Sequence, residues 1–378
     1  MKQLRQLGRY PLLVLATLFL LGTFVWDMTA PHREYSELEN RYLRQRPAFS
    51  LTSLFENAYT LKYEEFVNDQ FVARDGWITL KSLAESALGK IENNGIAYGK
   101  KGYLFEKANA LDESRLQKNI GYLQAFTEKT AGTPVTVAIA PNAHEVLGDL
   151  VPAGLGNLPQ AAYIRQVYEQ TAGAAHLDLQ AALTAHSSEY IFYRTDHHWT
   201  TLGAYYAYAD YARSKGLEPV DIARLAPLRH RTEGFYGTHY SKAKLFGAKA
   251  DSLDYYDIPI TSVTIDGKEK PGLYDLEKLP LRDKYAAFIW GNNGVTVIKS
   301  QNNAAPGQKP SRVLLVKDSY GNSFAPFLTY NYDEVWVLDL RFVQSIGDLM
   351  TQNSFDDILV LYNFASFVQD TNLSKLRY

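Results

Sequence analysis

The chain has 378 residues, 46% of them hydrophobic, with 39 Lys and Arg against 41 Asp and Glu for a formal net charge of −2. That length exceeds one small domain, and that composition supports a sizeable core. The charge balance excludes the global basic field of a nucleic-acid binder, and the absence of cysteine excludes disulfides, thiol nucleophiles and cysteine metal sites.

Lys2, Arg5 and Arg9 precede any acidic residue, so residues 1–9 read as a basic cytoplasmic stretch. Residues 10–26 form an uncharged run from Tyr10 to Trp26. At 1.5 Å per residue it spans about 25 Å, near the lower limit for crossing a bilayer. Met28-Thr29-Ala30 is a poor cleavage site, and Trp26 suits the far interface. The expectation is an uncleaved transmembrane signal-anchor, with a cleaved signal peptide as the other reading. Either way the basic flank predicts the rest of the chain outside the cytoplasm, at the cell membrane.

Residues 27–110 read as a lead-in followed by a helical and hairpin segment. Residues 31–50 are polar and of mixed charge, whereas Ser53 to Lys90 carries apolar residues at helical spacing. Gly95 to Phe105 is turn-rich and hairpin-like. Residues 111–378 read as the main domain. Asp112 to Lys129, Tyr163 to Thr171, Thr201 to Lys215 and Gly321 to Thr329 predict helices. Strands are predicted at Val135–Ala140, His176–Leu179, Tyr190–Tyr193, Arg312–Val316, Glu334–Asp339 and Asp357–Leu361. Residues 230–310 predict an antiparallel, β-rich insertion. Continuous apolar strands alternating with helices predict a mostly parallel sheet covered on both faces, with its site beyond the carboxyl ends of the strands.

Lys317-Asp318-Ser319-Tyr320-Gly321-Asn322-Ser323 follows such a strand. A serine at a sharp strand-to-helix turn presents a nucleophile and an oxyanion-binding N–H together. A helix cap is the plainer reading of this segment by itself. Thr195-Asp196-His197-His198-Trp199-Thr200 supplies a partner. In an extended chain Asp196 and His198 share a side and His197 takes the other. Asp196 then fixes the tautomer of His198, the base for Ser319. Trp199 would wall the site. Metal binding by Asp196, His197 and His198, or a purely structural histidine pair, are the other readings. Asn363, after the Asp357 strand, and Arg341, after the Glu334 strand, are candidate oxyanion or substrate contacts. A turn residue and a surface ion pair are their plainer readings.

The Asp196-His197-His198-Trp199 run, the Lys317 to Phe324 segment and the lead-in Ser36-Glu37-Leu38-Glu39-Asn40-Arg41 together resemble the DHHW protein family. That family resembles the SGNH hydrolase-like alginate O-acetylation proteins. The resemblance covers most of the chain beyond residue 34. It implies a flavodoxin-like α/β/α sandwich with a Ser-His-Asp triad of Ser319, His198 and Asp196, and Asn363 as the SGNH asparagine. The Asp–His block precedes the serine, the reverse of ordinary SGNH hydrolases. Lys317 stands where their motif has glycine, which leaves Gly237 as the candidate glycine oxyanion donor.

The functional expectation is O-acetyl transfer to a secreted or cell-wall polysaccharide, with a membrane-bound O-acyltransferase supplying the acetyl group. A polysaccharide acetylesterase, or a non-catalytic polysaccharide-binding protein, remains open. The 27 tyrosines suit sugar stacking, and equally a plain core or interface. No nucleotide-binding glycine loop occurs, so no cofactor is expected.

Overall fold

A computed structural model of the protein describes residues 10–36, 41–108, 110–130, 132–301 and 309–377. The basic residues Lys2, Arg5 and Arg9, and Glu37 to Asn40 of the lead-in motif, lie outside the described residues. The described residues form two compact units, one comprising those up to Lys90 with Lys244–Phe246 and the other the remaining described residues.

In the smaller unit, Pro11–Thr29 is one helix with no buried residue. Among the described residues it is the one helix long and apolar enough to cross a membrane, with a mean hydropathy of 1.9. Proline sits at its start, where the missing N–H costs nothing. The helical periodicity of Ser53 to Lys90 resolves into three helices, Leu51–Phe55, Ala58–Gln70 and Arg74–Ala87. Asn57 (φ 59°) and Ala73 (φ 53°) break the run, since left-handed backbone cannot continue a right-handed helix.

The larger unit is built on an eight-stranded sheet. Its strands are β1 (Val135–Ala140), β2 (Ala175–Leu177), β3 (Ile260–Ile265), β4 (Lys268–Lys270), β5 (Val295–Ser300), β6 (Arg312–Lys317), β7 (Glu334–Leu338) and β8 (Asp357–Asn363). Their order is β4-β3-β5-β7-β6-β8-β1-β2. The strands from β7 to β2 run parallel. Within residues 230–310, β3, β4 and β5 extend that sheet antiparallel at the β7 edge. Arg229–Phe235 and Asp251–Tyr256 form a separate antiparallel pair.

Alternation along the strands builds two cores. Ala138, Leu315 and Leu361 face one core, against α3 (Thr201–Ser214) and α4 (Gly321–Leu328). Val137, Leu314 and Val360 face the other, against α1 (Glu113–Lys129), α2 (Gln160–Glu169) and α5 (Phe364–Gln369). The helices are capped as their sequences demand. Asp112 accepts from the Arg115 amide at 3.0 Å, and Thr200 from the Gly203 amide at 3.3 Å. This is the expected three-layer α/β/α sandwich of SGNH-like type. The Tyr190–Tyr193 segment forms one bridge, Phe192 to Trp199, and no strand. Its aromatic residues are spent on burial beneath the loop they bracket.

Candidate functional site

The parallel strands deliver their carboxyl ends to one edge. There β6 turns sharply through Asp318-Ser319-Tyr320 into α4. Asp318 organises the turn, its carboxylate accepting the Tyr320 amide at 2.9 Å and the Asn363 amide of β8 at 2.9 Å. Gly321 is required by close approach, because a Cβ there would lie 2.6 Å from the Lys317 Cβ. Ser319 is left partly exposed, and its backbone N–H has no acceptor among the described residues.

The segment Arg194–His198 is a bend, so strand alternation does not aim its side chains. Asp196 accepts the His198 amide at 2.9 Å and the His198 Nδ1–H at 2.5 Å on the same oxygen. This local turn, the kind that Asp favours, carries the imidazole back over its own carboxylate. His197 is not turned to the far side, since its ring lies 3.8 Å from that of His198. His198 Nε2 is 2.7 Å from Ser319 Oγ. Ser319, His198 and Asp196 thus form one hydrogen-bonded chain, its Ser319–His198 link closing a separation of 121 residues in sequence.

The insertion fixes this chain from behind. Asp251 holds the loop through the Arg194 amide at 2.9 Å and the Thr195 amide at 2.8 Å. The Thr238 amide donates to the second Asp196 oxygen at 2.8 Å. Tyr285 stacks on the His198 ring at 3.8 Å and 12°. Its hydroxyl donates to the Ser319 carbonyl at 3.0 Å and shares a 3.0 Å contact with Ser323. Sequence reasoning missed Thr238 and Tyr285, because neither carries a local pattern and both reach the site only through the fold.

Burial alone would raise the Asp196 carboxyl, but the His197 and His198 rings, the His198 hydrogen bond and the Thr238 amide hold it well below the usual carboxylate range. Burial raises Asp318 instead, against amide hydrogen bonds that only partly offset it. Burial, with the His198 ring beside it, lowers His197 to about 4.

Four expected contacts take other roles. Trp199 does not wall the site. It is fully buried, with its indole N–H 3.1 Å from both the Tyr320 carbonyl and the Ser323 hydroxyl, and so supports the turn from below. Gly237 is no free oxyanion donor, because its N–H donates to the Thr195 hydroxyl at 3.1 Å. Its glycine is needed because a Cβ would fall 2.1 Å from Asp196. Arg341 is committed to Asp339, at 2.9 and 2.6 Å, and Asp339 also holds the buried Lys317 at 3.0 Å.

The Asn363 side-chain NH₂ donates to the Ala140 carbonyl at 3.1 Å, and its side-chain oxygen accepts the Ala365 backbone N–H at 3.1 Å. That backbone donor orients a chain of side chains. Asn142 donates to Asn363 at 3.1 Å, Gln160 donates to Asn142 at 3.0 Å, and Gln160 also meets His144 Nε2 at 3.0 Å. The Asn142 amide donates to the Gln160 oxygen at 2.9 Å and fixes the Gln160 orientation independently.

Asp196, His197 and His198 are also close enough to share a cation. Their candidate atoms are already engaged, His198 with Asp196 and Ser319, and His197 with the Thr238 hydroxyl at 2.7 Å. Coordination through His198 would therefore break either its Asp196 or its Ser319 contact. Beside the pair opens a cleft of about 730 Å³, bounded by Asp318, His197, Thr238, His239, His144 and Arg341 among others.

Fold and site together define an SGNH-like α/β/α protein with a Ser-His-Asp hydrogen-bond chain at the sheet edge. The DHHW protein family matches residues 160–338, and the resemblance read from the sequence holds. Asp196, His198 and Ser319 lie inside that stretch, whereas Asn363 and the lead-in lie outside it. A DHHW family protein from Eubacterium siraeum is similar at 25% identity and a TM-score of 0.65, over 76% of this chain and 96% of that one. Bacillus cereus PatB1 is similar in fold at 20% identity and a TM-score of 0.61, over 75% and 99%. A structure of Bacillus cereus PatB1 with a sulfonyl adduct gives 18% identity and a TM-score of 0.58, over 73% and 96%. A search of curated proteins finds no match.

Proposed function

We propose that the protein is a membrane-anchored, extracytoplasmic O-acetyltransferase that carries an acetyl group on Ser319 and passes it to a polysaccharide hydroxyl. The observation that carries this reading is the 2.7 Å contact of Ser319 Oγ with His198 Nε2, continued at 2.5 Å from His198 Nδ1 to Asp196. Ser319 Oγ attacks the acetyl carbonyl carbon while His198 Nε2 takes the hydroxyl proton. The unspent Ser319 N–H, at the start of α4, is the candidate donor to the oxyanion. Collapse expels the donor's oxygen, which takes the proton back from His198. The sugar hydroxyl then repeats the sequence in reverse, giving a sugar acetate and free Ser319. Asp196, held ionised, stabilises the imidazolium that forms each time.

The Pro11–Thr29 helix supports an anchor, since its 19 residues extend about 28 Å. An acetyl donor made in the cytoplasm has to be passed across the membrane, so a membrane-bound O-acyltransferase is the proposed supplier. Ser319 is partly exposed, which favours hydrolysis as a competing fate of the acyl-enzyme when no acceptor is bound. Intact-mass analysis after treatment with a small activated acetyl ester tests the reading. One acetyl group on Ser319, absent from Ser319→Ala, is expected. No adduct on the folded protein overturns it.

A further inference from the structure

The cleft beside Ser319 is polar without an unpaired positive charge. Among its described lining residues the cations are Lys107, Lys242 and Arg341. Each is matched by a carboxylate: Glu92 at 3.2 Å for Lys107, Glu106 for Lys242, and Asp339 at 2.6 Å for Arg341. Asp318 and Asp370 add further carboxylates to the wall. A polyanion entering here would meet no free cation, and would meet the carboxylates of Asp318 and Asp370.

Two buried imidazoles give the wall its recognition chemistry. His239 is 5% exposed and sits in the short helix Thr238–Ala243. Its Nδ1–H donates to the Leu104 carbonyl at 3.0 Å, so Nε2 carries the lone pair. That Nε2 is buried and has no hydrogen-bond partner. An unmatched buried acceptor is costly unless something fills it. His144 is 9% exposed. The Gln160 amide, oriented by the Asn142 backbone, donates to His144 Nε2, which leaves the proton on Nδ1. Burial lowers both rings to about 4, so both are neutral at physiological pH.

We propose that this cleft is a binding subsite for an uncharged, hydroxyl-rich sugar chain, in which His239 Nε2 accepts from one sugar hydroxyl and His144 Nδ1–H donates to another. A hydroxyl both donates and accepts and so satisfies either ring. A carboxylate or phosphate only accepts, and would leave His239 unmatched while facing Asp318 and Asp370. The inference rests on the acyl-transfer reading only in naming the bound chain as the acetyl acceptor. Binding itself does not require Ser319 to react.

Calorimetry on the full-length Ser319→Ala protein in detergent tests this, with neutral cello-, malto- and chito-hexasaccharides against hexagalacturonate. At least one neutral chain is expected to bind about tenfold or more tightly than the acidic one, with little loss on raising salt from about 50 to about 500 mM. His239→Phe in the same background is expected to weaken the neutral chain about fivefold to tenfold, the loss of one hydrogen bond. Should that variant fail to fold, the neutral-against-acidic comparison still decides. Equal or tighter binding of hexagalacturonate, no binding of any neutral chain, or a folded His239→Phe protein with unchanged affinity overturns the proposal. Because the protein used cannot be acylated at residue 319, a failed Ser319 adduct leaves this result readable.

Discussion

Two buried carboxylates flank the Ser319–His198 pair, one on each of the two segments that meet there. Asp196 and Asp318 are 3% and 4% exposed, and each accepts backbone amides that shape its own turn. Yet their surroundings push them in opposite directions, Asp196 well below the usual range and Asp318 above it. Asp196 faces imidazoles, whereas Asp318 faces mainly amides. Burial desolvates both, and the neighbouring groups decide in which direction each carboxyl is pushed. The loop therefore presents an anion to His198, while the turn uses its carboxyl as a scaffold.

Exchange to asparagine is the strongest way to break this contrast. Asp196→Asn is expected to lower the rate of acetyl transfer by about 10³- to 10⁴-fold, because the wrong tautomer of His198 then meets Ser319. Steady-state kinetics with an acetyl ester checks it. Asp318→Asn is expected to cost about 1–3 kcal/mol of stability, because an amide NH₂ would oppose the Tyr320 or Asn363 N–H. Activity per folded molecule should fall less than tenfold. Chemical denaturation with parallel kinetics separates the two effects, and equal rate losses in both variants would erase the distinction.

The pH dependence sharpens it. A lowered carboxyl contributes stability above its unfolded value near about 3.9, lost as pH falls through its folded value. The wild-type advantage over Asp196→Asn should therefore shrink in acid, below about pH 4. A raised carboxyl contributes stability below that unfolded value, lost as pH rises through its folded value. The wild-type advantage over Asp318→Asn should instead narrow as pH climbs above about 4. Urea unfolding of the three proteins across that range reads both slopes, and matching slopes would refute the assignment.

The smallest effect belongs to the residue that joins the two segments. Tyr285→Phe keeps the ring on His198 and loses the hydroxyl bond to the Ser319 carbonyl, so the rate is expected to fall no more than about fivefold. Tyr285→Leu also removes the stack and should cost more. A larger loss in the Phe variant would make the hydroxyl, rather than the ring, the important part.

The architecture was legible wherever burial on both faces dictated the residues. Val135–Ala140 and Arg312–Val316 read as strands because a doubly covered sheet leaves few places for polar side chains. Ser319 was legible as a candidate for a different reason, its place in the turn between β6 and α4, and Asp196 and His198 as an Asp-x-His spacing in the loop before α3 that the fold brings within hydrogen-bond reach of it. Tyr190–Tyr193 misled because aromatic residues serve a buried bend as well as a strand. Tyr285, Thr238 and Asp251 arrive from the insertion, and no spacing along the chain announces a contact made that way. Asn363 was recognisable as a polar residue at a strand end, but its orientation depended on the Ala365 amide, which pairing alone reveals.

The string of amides from Asn363 through Asn142 and Gln160 to His144 has a direction, because main-chain N–H groups grip it at two points. Main chain cannot be mutated into an acceptor. A lineage wishing to reverse what His144 offers its guest would have to reroute the polypeptide after β1 or β8, and single substitutions along the string would break it before they inverted it.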